Sequence, residues 1–131
     1  MCVVLWQTTF AEPTVRLRFV CWDGDEAQRA LRPAVRAFER KYPHIRVKFE
    51  SVTQNYQQKL LAQYAANVAP DVAMMDPGNF QRFASRGALL PLNPFFGDVP
   101  GFDIRSYYPE IVLPHSYDGT VYVLPRDIAP V

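Results

Sequence analysis

From Val15 to Trp22 the chain alternates, with Arg16 and Arg18 set between Leu17, Phe19 and Cys21. A period of two predicts a strand with one face better covered than the other, and Asp23-Gly24-Asp25 ends it. The period then changes: Ala27, Ala30, Leu31, Ala34, Val35, Phe38 and Tyr42 recur at helical spacing, with Arg29, Arg32, Arg36 and Arg40 elsewhere on the cylinder. Pro33 lies inside this pattern and removes one backbone bond, so a kink there or a later start is expected. Tyr42-Pro43 stops the helix, and Ile45, Val47 and Phe49 alternate with Arg46, Lys48 and Glu50 as a second strand. That completes a βαβ unit, whose right-handed crossover places its two strands parallel in one sheet. Tyr56, Leu60, Leu61, Tyr64, Ala65 and Val68 mark a second helix, closed by Ala69-Pro70.

The stretch from Asp71 to Asn79 organises what surrounds it. Four apolar residues, Val72 to Met75, stand between Asp71 and Asp76 and break into Pro77-Gly78-Asn79, which reads as a short buried strand running into a loop. Helical spacing resumes at Phe80, Phe83 and Ala84 and stops at Gly87. The order is therefore βαβαβα, an α/β fold. In open sheets of this class ligands bind in the crevice beyond the carboxyl ends of the strands, where Asp76 to Asn79 would lie. Beyond Gly87, seven of the twelve prolines crowd between Pro91 and Pro130 and keep regular elements short. Pro109 suits the first turn of a brief helix through Ile111 and Leu113. Tyr117 to Tyr122 carries the Asp118-Gly119 signal of a tight hairpin.

Composition narrows the function. A chain of 131 residues with 49% hydrophobic positions is one domain's worth and can bury a core. A net charge of +1 supplies no global field for nucleic acid or an anionic membrane, and no nucleic-acid partner is expected. Cys2 and Cys21 are too few for a disulfide framework and lack zinc spacing; Cys21 reads as a buried strand residue. Residues 1–11 are apolar but too short to span a bilayer, and Thr9-Phe10-Ala11 resembles a signal-peptidase site, so they read as a signal-peptide remnant. His44 and His115 stand apart from any nucleophile elbow or metal-ligand spacing, and no glycine-rich phosphate loop is present. The reading predicts no cofactor, no metal and no catalytic residue.

Four segments, in order, carry a resemblance: Phe38-Glu39-Arg40-Lys41-Tyr42-Pro43-His44-Ile45-Arg46-Val47, Ala69-Pro70-Asp71-Val72, Gly87-Ala88-Leu89-Leu90-Pro91-Leu92 and Tyr117 through Pro125. Together they resemble the family-1 extracellular solute-binding proteins of ABC importers, the carbohydrate type. The resemblance implies a type II periplasmic-binding-protein-like fold in which two α/β lobes close by hinge motion on a sugar. It also implies a protein outside the cytoplasmic membrane, periplasmic or at the cell surface, monomeric at full length, that delivers ligand to permease subunits. Family members are longer, so residues 12–124 correspond to a partial N-terminal lobe and 125–131 to the start of the inter-lobe hinge, with the C-terminal lobe absent. One wall of such a cleft is expected to hold sugar only in the millimolar range, near ~4 kcal/mol.

The resemblance and the loop chemistry together nominate ligand contacts. Trp22, Asp23 and Gly24 follow the first strand, where an indole face packs on sugar C–H groups and carboxylates accept hydroxyls. The alternative places Trp22 in the core and makes Asp25 a helix cap. Asp76 and Asn79 follow the third strand, although Asp76 also suits an N-cap with Pro77 at the first helical position. Gln54, Asn55 and Tyr56 form a weaker set, in which Tyr56 fits the core. Arg126 and Asp127 lie where the resemblance puts the segment along the cleft floor. Other readings are a metal- or other small-solute-binding protein of the same fold, with Tyr107-Tyr108 as the metal-binding hint, and a glycoside-processing enzyme using Asp23 and Asp76. Adjacent tyrosines on one short helix would diverge by about 100°. A phosphorylated receiver domain is excluded, because Lys41, Lys48 and Lys59 all precede Asp76.

Overall fold

The computed structural model describes residues 13–126, which form two compact units divided after Met74. The expected signal-peptide remnant, Asp127 and the hinge positions after Arg126 lie outside the described residues.

The first unit holds β1 (Val15–Cys21), α1 (Asp25–Lys41), β2 (Ile45–Ser51), α2 (Tyr56–Ala65) and β3 (Val72–Ala73). The sheet is parallel in the order β2-β1-β3, so the first strand of the chain is the central one. Its pairing with β2 runs in unbroken register from Val15↔Ile45 to Cys21↔Ser51. Burial deepens along β1 and is nearly complete at Val20 and Cys21, as the apolar half of the strand predicts. Phe19 and Phe49, directly opposite in this register, pack with ring centroids 4.9 Å apart.

Two expectations in this unit need correction, and for Pro33 the alternative of a later helix start falls. The apolar run Val72–Met75 yields a strand of only two residues, and Val72 is 48% exposed. The cause is its edge position: Met74 N–H still donates to Val20 O at 3.0 Å, but the Met74 carbonyl is taken by the Tyr56 hydroxyl. Pro33 neither delays nor ends α1, which begins eight residues earlier. Pro33 is exposed, so water can reach the backbone where the helical bond is missing. The second helix stops at Ala65, before Val68, because Asn67 turns left-handed (φ 56°) and Val68 N–H closes back on Gln63 O.

A polar brace ties β1 to both neighbours. The Arg18 guanidinium donates to both Glu50 carboxylate oxygens, at 3.3 and 3.1 Å, and to Val68 O at 3.0 Å. Arg18 N–H donates to Asp71 Oδ2 at 2.8 Å. Lys48 Nζ adds a second cation 3.0 Å from Glu50. The bonds from Arg18 and Lys48 hold the Glu50 carboxyl down at about 2, against an ordinary value of 4.5. A depressed carboxylate contributes stability above its unfolded-state pKa and loses it as pH falls through the folded value. Glu50→Gln is therefore expected to cost about 1 kcal/mol near neutrality. The difference from wild type should vanish between pH 4.5 and pH 2, a window that urea titrations at stepped pH can resolve.

The second unit contains α3 (Pro77–Ala84), α4 (Pro109–Val112), β4 (Ser116–Tyr117) and β5 (Thr120–Val121), joined by 3-10 turns. Phe80, Phe83 and Ala84 are buried, the three positions that the helical spacing singles out. Gly87 is left-handed at φ 67°, and Gly87 N–H to Ala84 O with Ala88 N–H to Phe83 O closes the helix in a Schellman motif. The Asp-Gly hairpin forms as predicted: Asp118 and Gly119 both have positive φ, and Tyr117 pairs with Thr120. Outside it, Val121 N–H donates to Asn93 Oδ1 at 2.8 Å and Leu92 N–H to Val121 O at 2.9 Å. An asparagine side chain here does the work of a strand backbone.

Candidate functional site

In the first unit the site residues sit where β1 gives way to α1. The carboxyl ends of β1 and β3 are clasped by Tyr56, whose hydroxyl lies 3.0 Å from Val20 O and 2.9 Å from Met74 O. Burial pushes that phenol far up from its ordinary value. Tyr56 is thus the core residue that its place on the helix suggests, 8% exposed. Its ring meets Trp22 edge-on, centroids 5.2 Å apart at 89°. Trp22 itself is 36% exposed, which overturns the core alternative for it. The indole is braced by that ring while part of its surface stays open to solvent.

The next two residues are fixed through the backbone. Asp23 O accepts Ser51 Oγ at 2.8 Å and Gln28 Nε2 at 3.4 Å, so β2 and α1 both hold the turn. Gly24 is the N-cap of α1 in extended conformation (φ −72°, ψ 179°), and Asp25 falls inside the first turn rather than capping it. Asp25 still suits that place, because a carboxylate is favourable at a helix N-terminus. No atom lies within 4 Å of the position a Cβ would take on Gly24. Gln54 and Asn55 are exposed in the loop after β2, with Asn55 left-handed at the start of α2.

In the second unit Asp76 and Asn79 are brought together. Asp76 stands at the N-cap of α3 with Pro77 first in the helix, and its backbone carbonyl accepts Asn79 N–H and Phe80 N–H. No side-chain cap bond forms. The carboxylate instead accepts the Asn79 amide at both oxygens, 3.1 and 2.9 Å. Gly78 belongs to this arrangement, since a Cβ there would lie 3.2 Å from Asp76 Oδ1. Sequence reasoning passed over Gly78; the signal was its position between two polar residues that close a turn on each other. Arg126 is exposed. Tyr107 and Tyr108 do not share a helix, because both have extended backbone between two helical turns. Tyr107 packs toward Phe102, with centroids 6.2 Å apart, while Tyr108 is 74% exposed.

Residues 23–130 match the family described as bacterial extracellular solute-binding protein. The chain belongs to that family. This solute-binding protein is similar to an ABC substrate-binding protein from Listeria monocytogenes in complex with cycloalternan, at 25% identity and TM-score 0.74 over 82% of this chain and 28% of that one. It is similar to an extracellular solute-binding protein of family 1 from Alicyclobacillus acidocaldarius, at 30% identity and TM-score 0.69 over 85% of this chain and 28% of that one. The sugar-binding protein MalE from Xanthomonas citri shares 28% identity with TM-score 0.75, again over 85% and 28%. The chain thus spans 28% of the length of each of these proteins. These likenesses give the fold as periplasmic-binding-protein-like type II, in part of one lobe. All three are described as binding proteins, and no helix among the described residues of this solute-binding protein is long and apolar enough to cross a membrane.

Proposed function

We propose that this chain supplies one wall of a carbohydrate site in the solute-binding component of an ABC importer, acting outside the cytoplasmic membrane and passing its ligand to a permease without chemical change. The observation that carries the reading is the Trp22 indole, braced by Tyr56 yet open to solvent, at the carboxyl end of the central strand of a fold shared with proteins solved as sugar binders. An indole face suits the apolar C–H surface of a pyranose, and the neighbouring Asp23 suits its hydroxyls. Asp76, Asn79, Arg126 and Asp127 are the further proposed contacts, with Gly24 giving close approach. The Asn79 amide on both Asp76 oxygens fits an oriented hydrogen-bond acceptor better than a proton donor for glycoside cleavage.

Calorimetry against a panel of neutral oligosaccharides tests this. At least one is expected to bind, and Trp22→Ala should weaken it about tenfold or more, as loss of a buried aromatic anchor does. Absence of heat with every sugar, or release of chromophore from an aryl glycoside that disappears in Asp76→Ala, would overturn the proposal.

A further inference from the structure

Helix α1 carries Arg29, Arg32, Arg36 and Arg40 at intervals of three, four and four residues. At ~100° per residue they fall within a sector of about 80°, and the row is about 16 Å long. All four are exposed, and among the described residues none of them has a hydrogen-bond or ion-pair partner. Ala27, Leu31 and Val35, half-buried, lie on the opposite side of the cylinder with Phe38. Asp25 and Glu26 lie four and three residues before Arg29 on the same face and offset that end of the row, while the Glu39 carboxylate accepts Val47 N–H at 2.9 Å, which leaves Arg32, Arg36 and Arg40 uncompensated. Because the whole chain carries only +1, this is a local concentration of one sign rather than the face of a generally basic protein.

We propose that this arginine row docks the protein on an anionic lipid surface. A folded protein partner is ordinarily held by large buried anchors at the centre of an interface, and the residues beside this row are Ala30, Pro33 and Ala37. A planar array of lipid phosphates needs only a straight row of charges at matching height, and guanidinium groups are well shaped to meet phosphate oxygens. Each uncompensated arginine near such a surface strengthens association about fivefold, so Arg32, Arg36 and Arg40 give a weak but definite attachment that salt dissolves. For an extracellular binding protein, such contact would confine diffusion to the neighbourhood of the membrane.

Co-sedimentation with vesicles of phosphatidylcholine containing one-third phosphatidylglycerol tests the proposal. The full chain is expected to partition onto these vesicles at low salt, to leave them at half-molar salt, and to ignore vesicles of phosphatidylcholine alone. Arg36→Gln should weaken partition about fivefold and Arg32→Gln/Arg36→Gln about twentyfold, each with an unchanged melt. Arg82→Gln, which removes the same charge from α3, should change it less than twofold. Equal partition by wild type and the double variant, an Arg82→Gln loss equal to that of Arg36→Gln, or binding to polyaspartate but not to vesicles would overturn it.

Discussion

Phe80→Ala is expected to lower the unfolding free energy by about 3–5 kcal/mol, the largest effect of any single truncation among the described residues. Phe80 is fully buried, and among the described residues it is the largest side chain that is so. Removing the ring loses its transfer free energy and leaves a cavity that the surrounding structure fills only in part. Collapse is hindered on the chain side too: Phe80 N–H is bonded to Asp76 O, and the turn of Phe83 is locked by the Gly87 closure three residues past the helix end. In a denaturant titration the midpoint should fall with the slope unchanged. A loss below about 1 kcal/mol would mean that the ring is not buried as described.

Tyr56→Phe should cost about 1–3 kcal/mol through one oxygen atom. The hydroxyl is shared between Val20 O and Met74 O, at 3.0 and 2.9 Å, and joins strands β1 and β3 where their own ladder has ended. Phenylalanine keeps the ring against Trp22 but takes the hydroxyl away from both carbonyls, leaving Val20 O with only its bond from Met74 N–H. The expected fall in Tm is about 4 °C per kcal/mol for a chain of this size. Amide exchange at Met74, whose N–H bonds to Val20 O, should quicken more than exchange at the far end of β1. A variant that melts with the wild type and keeps Met74 protected would show the clasp to be dispensable.

The sequence makes regular elements legible wherever periodicity and punctuation agree. Val15 to Cys21 alternates and forms β1; Phe80, Phe83 and Ala84 keep helical spacing and are buried; Asp118-Gly119 specifies its turn through two positive φ values. Reading fails where a tertiary partner decides. The third strand is cut to two residues because a tyrosine from α2 takes the Met74 carbonyl, a contact that no local pattern encodes. Val68 fits the apolar stripe of α2, yet Asn67 ends the helix before it by adopting a left-handed conformation that asparagine allows and does not compel. At the candidate site, residue types identified the loops, and the structure supplied the relations: the edge-on packing of Trp22 on Tyr56, and the bond between Asp76 and Asn79. Neither relation follows from composition, since Asp76 was equally suited to capping its own helix.

The placement of β1 at the centre of a parallel sheet sets a timetable for synthesis. At ~5–20 residues per second, a strand that ends at Cys21 waits about 2–6 seconds for Ser51 to be made and about 3–10 seconds for Ala73. No hairpin can shelter it meanwhile, because both its partners run parallel to it and lie far along the chain. Through that interval its apolar run would be open to other nascent chains. Arg16 and Arg18 interrupt it with charge at every second residue, as gatekeepers do. Arg18 then enters the Glu50 brace once β2 arrives. The same guanidinium guards the strand before pairing and secures it afterwards, so replacing it with leucine should show first as aggregation during expression and only second as a lower melting point.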